Sequence, residues 1–157
     1  MAQDFSLESV GTRGGFSGED TSKDFYQAEL FANWRLPLTL DLGKQWSLGT
    51  RLDLTAGWVT DRGEDAAIGS LGPSLVLRQE SIPVALDVGL SPTLSSRHNF
   101  PEQNLGTTIQ FTSHAGLEWK FAEHWSLGYR FQHMSNADLS KHNPGLNMHL
   151  FGLTYYF

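Results

Sequence analysis

The chain has 157 residues, a formal net charge of -6, 39% hydrophobic and 12% aromatic residues, and no cysteine. That length fits one domain over 1–157, the acidic balance argues against a general nucleic-acid partner, and the missing thiols exclude thiol catalysis, disulfides and cysteine-ligated metals. No segment approaches the roughly 18 apolar residues of a membrane-spanning helix, a criterion blind to alternating strands.

The start, "MAQDFSLE", lacks the charged and apolar regions of a signal peptide. The reading is a mature chain whose signal peptide has been removed and replaced by Met1. A first strand is expected near 4–12. In 24–36, Tyr26, Ala28, Leu30, Ala32, Trp34 and Leu36 share one face, and Gln27, Glu29, Asn33 and Arg35 the other. Phe25 and Phe31 break that pattern. In 46–59, Leu48, Leu52, Leu54, Ala56 and Trp58 oppose Arg51, Asp53, Thr55 and Gly57. A weaker run follows near 67–78. In 84–94, Val84, Leu86, Val88, Leu90, Pro92 and Leu94 oppose Ala85, Asp87, Gly89 and Ser91. In 107–121, Ile109, Phe111, Ala115, Leu117, Trp119 and Phe121 oppose Thr108, Gln110, Thr112, His114 and Glu118. In 125–135, Trp125, Leu127, Tyr129 and Phe131 oppose Ser126, Gly128, Arg130 and Gln132. The last run, 146–157, sets Phe151, Leu153, Tyr155 and Phe157 against Gly152, Thr154 and Tyr156. The total is eight strands and no helix.

Long connections are expected near 13–23, 60–66, 95–106 and 136–145, and short ones near 41–45, 79–83 and 122–124. This alternation suits an all-β, eight-stranded antiparallel up-and-down barrel whose rims face different surroundings. Two such barrels fit: a lipocalin-like one with its apolar face inward, and a transmembrane one with that face toward lipid. The membrane reading is favoured by the charges on the polar face, which can pair across a narrow lumen. It is also favoured by Trp34, Trp58, Trp119, Trp125 and Tyr155 toward strand ends, and by the aromatic final strand. Both termini then lie at the periplasmic rim and the long loops outside.

His133 and Ser135 share the parity of Phe131, and Asn147 and His149 that of Phe151. Unless a bulge intervenes, His133, Ser135 and Asn147 meet on the lipid-facing wall near the external rim. A polar cluster there is costly without a purpose. The chemistry it suits is ester hydrolysis: imidazole takes the serine proton, a third group holds the ring, and Asn136 with nearby backbone donors faces the oxyanion. The blander account is that strand ends at an interface carry His, Ser and Asn because water begins there. His98 and His142 read as loop residues, His114 as luminal, His124 as a turn residue, and no grouping has zinc spacing.

The segments "HMSNADL" (133–139), "NPGLN" (143–147), "QNLGTTIQF" (103–111) and "GLEWKF" (116–121) resemble the PagL-type lipid A 3-O-deacylases of Gram-negative outer membranes. The resemblance implies a hydrolase removing the ester-linked 3-hydroxyacyl chain at position 3 of lipid A, with no metal or cofactor. By matching motif positions it implies Ser135 as nucleophile, His133 as general base and Asn136 as oxyanion donor. The acidic third member is replaced by Asn147, giving a Ser-His-Asn site, and Asp138 stands where a small residue is expected. An impaired or non-catalytic barrel acting as a structural or lipid-binding protein is therefore the alternative. The expected partners are lipid A/lipopolysaccharide as substrate and outer-membrane lipids, not nucleic acid, with a homodimer left open. Arg97 and Lys141 in the external loops are candidates to meet phosphates.

Overall fold

The computed structural model describes residues 5–17 and 24–157. Eight strands close in sequence order into a barrel: β1 (Ser6–Ser17), β2 (Phe25–Gly43), β3 (Trp46–Asp61), β4 (Glu64–Gln79), β5 (Val84–Ser95), β6 (Ile109–Ala122), β7 (Trp125–Ser135) and β8 (Leu146–Tyr156). Every neighbouring pair is antiparallel, and β8 closes on β1 with Thr12 opposite Leu153. Closure removes both sheet edges, which a strand-built membrane protein requires. No helix occurs among the described residues.

The faces divide as the alternation predicts. Leu30, Leu54, Trp58, Leu75, Leu86, Leu90, Leu94, Leu117, Leu127 and Phe151 point outward and are exposed. Trp125 and Tyr155 meet edge to face at 5.1 Å near the rim that holds β1's start, in line with an interfacial girdle.

Inside, charges pair across the lumen. Arg51 is buried, with Nε 3.2 Å from Asp53, Nη1 3.3 Å from Glu118 and Nη2 3.5 Å from Asp87. Asp87 also accepts from Arg130 at 3.1 Å and lies 2.9 Å from His114 Nε2. Above this layer Arg13 pairs with Glu29 at 2.6 Å, and Gln132 donates to Gln27. Buried charges of this kind hold only when mutually satisfied, so the network ties β1, β2, β3, β5, β6 and β7 into one closure.

Phe25 and Phe31 break the pattern for separate reasons. Phe31 points inward beneath Arg13, whose guanidinium lies 4.3 Å from the ring centroid. Phe25 joins an apolar plug inside the barrel at the loop-bearing rim, with Val59, Ile68, Phe100, Leu105, Met134, Leu146, Met148 and Leu150. Phe100 and Leu105 come from the 96–108 loop, which folds into the mouth.

Three expectations change. The connection near 60–66 is not long: Asp61 pairs with Glu64 across a two-residue turn, Arg62 and Gly63, both with positive φ (48° and 86°). Beyond the apolar band both faces of a strand meet water, so hydropathy alternation fades while the ladder continues. For the same reason β1 runs to Ser17; of the expected 13–23 connection, 18–23 lies outside the described residues. β2 extends to Gly43 because its register shifts between Arg35 and Thr39, around Pro37, which cannot donate to the ladder. Another shift, between Leu7 and Ser9, gives β1 an extra residue, Glu8, whose buried carboxylate takes Arg35 and Arg78, each at 3.1 Å.

Candidate active site

His133 lies directly opposite Asn147 in the β7–β8 ladder, and Ser135 opposite Phe111 in the β6–β7 ladder. His133, Ser135 and Asn147 are all partly exposed on the outer wall. Asn147 Oδ1 sits 2.7 Å from His133 Nδ1. Since a carboxamide oxygen only accepts, Nδ1 carries the proton and Nε2 is the basic nitrogen. Ser135, two residues along the same face, is about 7 Å away by Cα. No hydrogen bond joins its Oγ to the imidazole among the described residues.

Asn136, expected as an oxyanion donor, lies inside the wall. The residue after an outward serine points inward by strand alternation, and Asn136 is fully buried. Its Nδ2 donates to the carbonyls of Leu105 (2.9 Å) and His142 (2.6 Å), and its backbone N–H to Asn143 Oδ1 (3.0 Å). These bonds clamp loops 96–108 and 136–145 together.

The next residues form a tight turn. Leu139 N–H donates to the Asn136 carbonyl at 3.0 Å, with Ala137 (φ 50°) and Asp138 (φ 63°) both left-handed between them. Left-handed backbone favours glycine, which explains why a small residue is expected at 138. The Asp138 carboxylate accepts from Asn143 Nδ2 at 3.0 Å and is exposed, so it is not bonded to His133. Asn143 thus ties both ends of the turn. Its role was not legible from spacing, although it sits in the "NPGLN" segment.

Gly145, also in that segment, has φ +69°, and a Cβ there would lie 2.6 Å from His133 Cε1. The glycine backbone lies against the imidazole. Gln103, buried in the 96–108 loop, donates to the Gly145 carbonyl.

The other histidines fall where expected. His114 is luminal, His124 Nδ1 meets the Tyr156 carbonyl at 2.9 Å, and His149 faces outward with Nδ1 2.7 Å from Tyr129 Oη. Asp53, Asp87 and His114 cluster in the lumen, which no sequence spacing could show because each comes from a different strand. Arg51 and Arg130 against Asp87 already balance the two carboxylates, so the cluster reads as part of the ion-pair layer. Arg97 pairs with Glu64 and is thereby tied to the neighbouring hairpin, while Lys141 is exposed.

Known proteins resemble this chain in sequence and in fold. Residues 27–156 match the family model described as "Lipid A 3-O-deacylase (PagL)". The chain is 29% identical to the lipid A deacylase PagL of Bordetella bronchiseptica over 162 residues, covering 93% of this chain and 85% of that protein. It is 32% identical to the lipid A deacylase PagL of Pseudomonas aeruginosa over 123 residues, covering 72% and 71%. The fold is similar to the crystal structure of the outer membrane enzyme PagL, with a TM-score of 0.79 at 23% identity over 94% of this chain and 98% of that one. With an eight-stranded barrel, an outer-wall His-Ser-Asn arrangement and a family match over most of its length, the chain belongs to the lipid A 3-O-deacylase (PagL) family.

Proposed function

We propose that this protein is an outer-membrane serine esterase that removes the acyl chain esterified at position 3 of lipid A, using Ser135, His133 and Asn147. The observation that carries the reading is the His133–Asn147 hydrogen bond on the wall that also bears Ser135. It sets the tautomer a general base needs.

His133 Nε2 takes the Ser135 hydroxyl proton as Oγ attacks the ester carbonyl carbon. The backbone N–H groups of Ala137 and Asp138, in the turn after Ser135, are the proposed oxyanion donors in place of the Asn136 side chain. Collapse of the tetrahedral intermediate expels the sugar 3-oxygen, which takes the proton from His133. Water, activated by the same base, then releases the fatty acid from Ser135. Asn147 holds the ring but offers no full charge to the imidazolium, so the chemical step runs slower than with a carboxylate there. An outer-wall site lets the substrate's acyl chain stay among lipids while its ester meets the serine.

The second reading, an impaired barrel of the same family, is favoured by that missing charge and by the lack of a Ser135–His133 hydrogen bond. Mass spectrometry of lipid A incubated with purified protein in detergent separates the two. Loss of one ester-linked acyl chain with wild type, and none with Ser135→Ala, supports the esterase. Unchanged lipid A with wild type sinks it.

A further inference from the structure

The apolar plug fills the lumen at the rim that bears Ser135. At the opposite rim, that of the short turns, the lumen holds a cavity of about 420 Å3. Small-molecule sites usually measure about 300–1,000 Å3. In outer-membrane barrels the short-turn rim faces the periplasm. Arg51, Arg35, Arg78 and Lys120 line this cavity against Glu8, Glu80 and Glu118, a local excess of positive charge in a chain of net charge -6.

The pairing leaves that excess at the opening. Arg51 and Glu118 meet each other at 3.3 Å. Arg35 and Arg78 both donate through Nη2 to one oxygen of Glu8, each at 3.1 Å. Two guanidiniums thus share a single carboxylate oxygen. The Glu8 side chain is 4% exposed, whereas those of Arg35 and Arg78 are 43% and 36% exposed. Glu8 is therefore the covered member, and the guanidiniums are what an incoming molecule meets. Lys120 lies 5.6 Å from the centre of the Tyr156 ring and makes no ion pair among the described residues. Glu80 sits in the turn after β4, exposed and paired with none of these cations. Deeper in the same cavity the Ser126 hydroxyl is buried with no hydrogen-bond partner. Such a hydroxyl is costly unless a molecule in the cavity bonds to it.

We propose that this cavity is a binding site for a phosphate ester, its phosphate held by Arg35, Arg78 and Lys120. A carboxylate has two oxygens in one plane and is filled by a single guanidinium fork. A phosphate sets its oxygens around a tetrahedron and carries more charge, which suits donors arriving from β2, β4 and β6. Val76, Ile82 and Ala85 give the cavity an apolar side for the ester's short carbon chain. The site lies at the rim opposite Ser135 and does not depend on the esterase reading.

The test is calorimetric titration of the full chain in a phosphate-free, sugar-headed detergent at low salt. The probes are glycerol 3-phosphate, inorganic phosphate and acetate, and a further arm adds phosphatidylglycerol to the micelles as competitor. Wild type is expected to bind glycerol 3-phosphate with a Kd of about 1 mM or tighter. Arg35→Gln combined with Arg78→Gln is expected to weaken it by about tenfold or more, and Lys120→Gln by about threefold. Lys120→Gln breaks no side-chain hydrogen bond among the described residues, so it decides the matter if heat-modifiable gel mobility shows the double variant unfolded. Competition by phosphatidylglycerol assigns the phosphate to a lipid headgroup, and its absence assigns it to a soluble ester. No binding of either phosphate by wild type, acetate bound as tightly as phosphate, or a Kd that the substitutions leave unchanged overturns the inference.

Discussion

His133 and Asn147 face each other across the β7–β8 ladder, joined by a 2.7 Å contact between Nδ1 and Oδ1. Two strands rather than one loop therefore hold the imidazole, and its tautomer is set by a neutral acceptor. Asn147→Ala removes that acceptor and is expected to lower kcat for lipid A deacylation about tenfold, the equivalent of one lost hydrogen bond of ~1.4 kcal/mol. Asn147→Glu restores a carboxylate and is expected to raise kcat above wild type. A kcat for Asn147→Glu at or below wild type would show that the asparagine is already matched to its site.

Gly145 gives a second test of how the ring is held. Alanine there meets His133 Cε1 and must also adopt a φ of +69°. The left-handed backbone alone costs about 1–2 kcal/mol. Gly145→Ala is expected to lower deacylation at least tenfold by moving the imidazole, an order of magnitude that a shift of about 1 Å readily produces. Heat-modifiable gel mobility should stay that of a folded barrel. Loss of the folded band instead would mean that the glycine serves closure more than the site.

Asn136 carries a prediction about loops rather than chemistry. Its side chain donates to the Leu105 and His142 carbonyls. Asn136→Ala leaves those acceptors without their donor, at about 1–3 kcal/mol for each buried group left unsatisfied. Limited proteolysis of folded protein should then cut within 136–145 or 96–108 many times faster than in wild type. Unchanged protease resistance combined with lost activity would return the side chain to the oxyanion.

Arg51 is the hub of the luminal layer, holding Asp53, Asp87 and Glu118. Arg51→Met takes a shared cation from three carboxylates, of which Asp87 keeps Arg130. The expected destabilisation is about 3–5 kcal/mol, the usual result of breaking a buried charge group from one side. A lower temperature for loss of the compact band on gels checks it. Replacing Arg51 and Asp87 together with apolar residues should cost less than the sum of the two single changes.

Much of this fold was legible because lipid and a packed polar lumen impose opposite demands on alternate residues. Ser135 and His133 fell on one wall by parity alone. The same rule, carried one residue further, turns Asn136 inward. Other features lay beyond alternation. The Arg62–Gly63 turn sits where strands leave the apolar band and lose their pattern. Phe25 and Phe31 sit inside because a loop and Arg13, distant in sequence, make apolar surroundings there. Asn143 and Gly145 matter through the turn and ring they touch, and neither contact has a spacing of its own.

The apolar plug has a further consequence. Phe25, Val59, Ile68, Phe100, Leu105, Met134 and Met148 fill the mouth of the barrel, and the Arg51–Asp87–Arg130 layer fills the section beneath it. Among the described residues, side chains thus occupy both sections of the lumen. A barrel filled in this way is expected to conduct little, so many copies in the outer membrane would add little to its leak of small solutes.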